Sequence, residues 1–72
     1  MRLLEQITDP AEFMTKARSV PPTGPAFDAE VIREADRLEI WATESGDRAA
    51  DYIEFRLVLG ERIIAKRRLE EY

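Results

Sequence analysis

Neither cysteine nor histidine occurs among the 72 residues, and the three glycines are scattered. The missing cysteine removes disulfides, a thiolate nucleophile and cysteine-based zinc or iron–sulfur centres. With histidine missing too, no conventional catalytic triad can be assembled, and Ser19 and Ser45 are left without an obvious activating partner. The glycines fall into no phosphate-cradling or dinucleotide pattern. Long apolar runs are also lacking. The stretch MRLLEQITDPAEF has only Leu3, Leu4 and Ile7 as an apolar patch, together with an early glutamate, which is not the composition of a secretory signal or a membrane span. These absences lead us to expect a non-enzymatic, soluble protein with no cofactor and no bound metal. A small cysteine-free domain also suits the reducing cytoplasm.

The residues that are present describe one folded domain, 1–72, since 44% are hydrophobic and 36% charged. A chain this short buries only about 60% of its unfolded surface, so its stability rests on a small core or on a partner subunit. Its net charge is −4, unevenly distributed: ten acids and six bases in residues 1–50, five of each in residues 51–72. From Arg56 to Arg68 there are five bases and one acid, Glu61.

Asp9-Pro10-Ala11-Glu12 predicts a helix start, with Asp9 capping free amides, Pro10 where no donor is needed and Glu12 able to complete a capping box. A helix at about 10–18 follows, within an N-terminal helical segment 1–19; residues 2–7 read equally as a helical turn or a stray edge strand. The stretch VPPTGPA (20–26) is a stiff connector. A second helix opens at Asp28, with Phe27 stapling to Ile32. Beyond Arg37 the pattern fits either more helix to Ser45 or an alternating strand at about 38–44, and the strand is favoured because it gives strand 52–58 a neighbour. Residues 45–51 form a loop without the ligand spacing of a calcium site.

The final third, YIEFRLVLGERIIAKRRL, predicts a hairpin. For Ile53, Phe55 and Leu57 to share a face with Ile63, Ala65 and Leu69, the connection must hold an odd number of residues. The expectation is a three-residue loop, Leu59-Gly60-Glu61, that sets Leu57 opposite Ile63, Phe55 opposite Ala65 and Glu54 opposite Lys66. A two-residue turn would instead press Arg62, Lys66 and Arg68 against the core. The expected fold is α+β, two short helices followed by a three-stranded antiparallel meander (ααβββ), with the helices on one sheet face.

The outer face of that sheet presents Trp41, Tyr52, Arg56, Arg62, Ile64, Lys66 and Arg68. Trp, Tyr and Arg are the types enriched where proteins meet, so the leading expectation is a protein-binding module acting as an inhibitor or adaptor. A homodimer is also expected to be open to it, the last strand offering an exposed edge. Nucleic-acid binding through the same face is the alternative, opposed by the net negative charge. A second, acidic surface combines Glu30, Glu34, Asp36, Glu39 and Asp47. Small size, acidity and absent catalytic groups are also what anti-CRISPR and anti-restriction proteins of phages and other mobile elements have in common, although no motif here matches a particular family.

Overall fold

The computed structural model describes residues 1–20, 26–43 and 52–70, the last by its backbone alone. Its elements are β1 (Arg2–Ile7), α1 (Pro10–Ser19), α2 (Ala29–Glu34), β2 (Arg37–Ala42), β3 (Tyr52–Leu59) and β4 (Arg62–Glu70). The strands form one antiparallel sheet in the order β1-β2-β3-β4, and both helices lie in the connection from β1 to β2. The expected ααβββ chain with three strands is therefore corrected to βααβββ with four. The residue pattern of β1 explains the difference. RLLEQI does not alternate, its apolar residues have helix-like spacing, and only Ile7 is buried. Little in the local sequence marks it as a strand; it forms against the edge of β2, where Ile7 pairs with Leu38 and Gln6 with Glu39. A register shift between Leu3 and Glu5 leaves Leu4 as a bulge.

The two helices start where side chains can satisfy free amides. Asp9 Oδ2 accepts from the Glu12 N–H at 3.0 Å, and Asp28 Oδ1 accepts from the Glu30 N–H at 2.9 Å. Phe13 and Ala17 of α1, and Phe27 and Ile32 at α2, turn inward. α2 stops after Glu34 because Ala35 is extended (φ −72, ψ 151), and the Asp36 N–H already donates to the Val58 carbonyl at 2.9 Å. Residues after Arg37 thus continue as a strand, with Leu38 and Ile40 buried. Strand β2 is described to Ala42; the expected loop 45–51 and the prolines of the connector lie outside the described residues.

The hairpin reaches the expected faces by a different route. Leu59 pairs with Arg62, so the turn is the two-residue Gly60-Glu61, with Gly60 at φ 62. A positive φ at the first central residue alone is the requirement of a type II′ turn. Val58 then pairs with Ile63, but Leu57 pairs with Ala65, so Ile64 is an extra residue. This bulge reverses the alternation and returns Ala65 and Leu69 to the inner face and Lys66 and Arg68 to the outer one. The expected register is corrected accordingly: Leu57 faces Ala65, Phe55 faces Arg67 and Glu54 faces Arg68. Ile63, expected in the core, is exposed, while Ile64 packs against it. Asp36, just before β2 and beside the end of β3, secures the turn, its Oδ2 accepting from the Gly60 N–H at 2.8 Å.

The core lies between the helices and one sheet face, and comprises Ile7, Phe13, Ala17, Val20, Phe27, Ile32, Ala35, Leu38, Ile40, Phe55 and Leu57. Among the described residues no helix is long and apolar enough to cross a membrane. Leu38 and Leu57 are fully buried and sit opposite each other at the centre. Truncating a leucine at such a position costs roughly 2–5 kcal/mol, a large share of what so small a domain has. Leu57→Ala should therefore lose cooperative thermal unfolding or show a sharply lower Tm by circular dichroism. At Gly60 an added Cβ meets nothing within 4 Å, so only the left-handed backbone opposes it. Gly60→Ala should cost about 1–2 kcal/mol in urea unfolding, and a neutral result would mean the turn relaxes to a different type.

Candidate functional site

The sheet face away from the helices is uncovered by any other described element. Alternation places Arg37, Glu39 and Trp41 of β2, Tyr52, Glu54, Arg56 and Val58 of β3, and Ile63, Lys66 and Arg68 of β4 on it. β1 adds Leu3, opposite Trp41, and Gln6, opposite Glu39. An uncovered face normally carries solvated side chains. Here Val58 is only 3% exposed and Glu54 only 4%. Both are enclosed by long side chains of the same face, since Val58 lies between Arg37 and Ile63 in the ladder, and Glu54 between Trp41 and Arg68.

These side chains form a connected set. Arg37 donates to Asp36 at 2.9 Å and, through Nε, to Glu39 at 2.8 Å. Glu39 also accepts from the Trp41 indole N–H at 3.0 Å. The guanidinium of Arg56 lies 4.6 Å from the centroid of the Trp41 ring, pairs through Nε with Glu54, and donates from Nη2 to the Met1 sulfur at 3.1 Å. One arginine therefore joins β3 to β2 and to the start of β1. Arg68 lies 4.0 Å from the centroid of the Tyr52 ring. A cation over an aromatic face contributes about 0.5–1 kcal/mol when exposed and about 2 or more when desolvated. The greater effect is on shape, because an ion pair with Glu54 largely buried holds Arg56 in one position.

Charge balance across the face is incomplete. Glu39 and Glu54 offset Arg37 and Arg56, whereas Lys66 and Arg68 have no ion pair among the described residues. The surplus positive charge lies along β4, beside the half-buried rings.

No protein-family model, curated protein or solved structure matches this chain. What the surface can do must therefore be read from its own chemistry.

Of the residues singled out in the sequence, Trp41, Tyr52, Arg56, Lys66 and Arg68 come together on this face. Ile64 does not, since the bulge turns it toward the core and Ile63 takes its place. Arg62 pairs with Leu59 beside the turn and by alternation falls on the opposite side from Val58. The acidic set is dispersed. Glu30 and Glu34 are exposed on α2, Asp36 holds the turn, Glu39 belongs to the arginine network, and Asp47 lies outside the described residues. Arg67, not among the residues singled out in the sequence, reaches inward at the rim of the core, 5.2 Å from the Phe27 ring centroid. The parity of Arg67 with Ala65 and Leu69 was the available signal. A shallow depression along α1, beside Asp9, Glu12, Thr15, Lys16 and Ser19, lies away from this network. Among the described residues no three histidine, cysteine or carboxylate side chains converge as a metal site would require.

Two carboxylates are held below their ordinary range. For Asp36 the Gly60 N–H is the main cause, reinforced by Arg37 against a smaller opposing effect of burial. For Glu39 burial is the largest single influence and pushes upward, but hydrogen bonds from Arg37 and Trp41, with the charges of Arg37 and Arg56, together outweigh it. Each group binds its proton more weakly folded than unfolded, so it stabilises the fold above its unfolded pKa and loses that contribution as pH falls through the folded value. Urea midpoints should accordingly decline below about pH 4, and the decline should be shallower in an Asp36→Asn, Glu39→Gln double variant. Equal slopes in both proteins would remove these two groups as a source of acid sensitivity.

Proposed function

We propose that the protein is a binding module that docks onto another protein through the outer sheet face, as an inhibitor or adaptor. The observation that carries this reading is the set of guanidinium groups fixed over aromatic rings on a face that no other described element covers. Side chains already held in place lose little freedom on binding, so more of the contact energy is retained as affinity. The exposed Ile63 and the half-buried Trp41 and Tyr52 supply apolar contact, while Lys66 and Arg68 ask for carboxylates on the partner. Cysteine-free composition favours the cytoplasm as the place of action.

Nucleic acid fits this face less well. The rings of Trp41 and Tyr52 already carry Arg56 and Arg68, so a base could stack there only by displacing a guanidinium. The acidic residues that an inhibitor of a nucleic-acid-handling defence enzyme would align are dispersed, and Glu39 is committed to Arg37 and Trp41. The anti-defence reading therefore rests on size and overall acidity, and the sheet face is the better candidate for contact.

Quantitative capture from cell extract, with and without nuclease, tests the proposal using three proteins of equal thermal stability. A partner retained by the wild type should be retained by Glu30→Lys, Glu34→Lys on α2. It should be reduced about tenfold or more by Lys66→Glu, Arg68→Glu. Loss with the α2 variant alone would overturn the placement, and loss on nuclease treatment would transfer the face to nucleic acid.

A further inference from the structure

Strand β1 makes poor use of its position. Five of its six residues are exposed, including Leu3 at 40% and Leu4 at 47%, and Met1 beside them is 47% exposed. It lies at an edge of the sheet, with β2 on one side and no described strand on the other. An edge strand carries unpaired backbone amides and carbonyls along its free side and is a template for another strand. Neither the Arg2 nor the Glu5 side chain has a hydrogen bond or ion pair among the described residues, although each residue is exposed. Apolar surface, unused backbone and two unmatched opposite charges thus coincide on one short strand.

We infer that β1 pairs with β1 of a second copy of this chain, antiparallel and about a two-fold axis, joining two four-stranded sheets into one. The residues Arg2-Leu3-Leu4-Glu5 are self-complementary in that arrangement. An axis between Leu3 and Leu4 sets Arg2 of each copy opposite Glu5 of the other, with the four leucines between. In a regular strand residues 2 and 5 point to opposite faces, and this register would fail. The bulge removes the obstacle. Arg2 pairs with Ala42 and Glu5 with Ile40, so both lie on the helix side of the sheet. A bulge discourages an ordinary strand from adding to an edge, but a copy of the same strand brings the same bulge to the same place.

The other edge argues for this choice by contrast. A two-fold contact along β4 would gather Lys66, Arg67 and Arg68 from both copies, and like charges opposite one another in a sheet are unfavourable. One edge repels its own copy and the other matches it. Contact through β1 closes as a dimer, since it uses the same patch twice. It leaves Lys66, Arg68 and Tyr52 of each copy clear of the contact, so it is independent of the docking proposal.

Sedimentation equilibrium at low salt tests the inference with wild type, Arg2→Glu, Glu5→Arg and an equimolar mixture of the two variants, each first shown to be folded by circular dichroism. The wild type should be a concentration-dependent dimer. Each single reversal sets like charges opposite at both ends of the contact and should weaken it about tenfold. The mixture should recover wild-type affinity, because the reversed residue on one chain then meets an opposite charge on the other. Lys66→Glu, Arg68→Glu should leave the dimer unchanged, which separates this contact from the docking face. A wild type that stays monomeric, a dimer indifferent to both reversals, a mixture no stronger than its components, or growth into larger polymers would each overturn it.

Discussion

Strand β4 must be apolar on one side and basic on the other, and strict alternation from a two-residue turn would give it the wrong sides. One additional residue, Ile64, reconciles these demands. With it, Ala65 and Leu69 complete the core while Lys66 and Arg68 stand over the outer face. The basic side of that face follows from this correction. Glu54 acquires Arg68 as a ladder neighbour, Arg56 is opposite Lys66, and the Tyr52 ring comes within reach of Arg68. The tight turn remains possible because Gly60 accepts a positive φ and Asp36 binds its N–H.

The sheet solves two problems with one set of strands. Its inner face receives the helices and shares with them the core of a chain too short to build a thick one. No other described element covers its outer face, yet Val58 and Glu54 are withdrawn from water there by arginine stems and aromatic rings. Long cationic side chains can bury their methylene stems while the head group stays polar. Arg37 and Arg56 act in this way, each with a carboxylate two residues away on its own strand. The resulting surface is ordered before any partner arrives, which is the physical basis for reading it as a docking face.

The two edges of the sheet differ in chemistry. β4 is guarded by consecutive bases and a bulge, the usual means of discouraging strand addition. β1 has a bulge as well, but it leaves leucines exposed and places Arg2 and Glu5 on one side. The strand with least packing inside the domain is thus the one best suited to pairing outside it.

Much of the local structure was legible in the residues themselves. Asp9-Pro10 and Phe27-Asp28 mark helix starts because capping depends on groups within three or four residues of each other. The alternation in Leu38-Ile40 and Ile53-Phe55-Leu57 marks strands for the same local reason. The gathering of Trp41, Tyr52, Arg56, Lys66 and Arg68 was also readable, since Ala65 and Leu69 claim the inner face and so send Lys66 and Arg68 to the outer one, although the bulge that achieves it was not. What remained hidden depended on distant parts of the chain. RLLEQI becomes a strand only because β2 presents an edge to it, and Ile64 becomes a bulge only because the two sides of β4 have different neighbours. The pairing of Arg56 with the Trp41 ring and with Glu54 likewise needs the register of three strands at once. Local sequence by itself determined caps, alternation and the place of the turn glycine, but not the length of the turn. Tertiary structure decided strand number, register and which charges meet, because those energies arise between residues far apart in the chain.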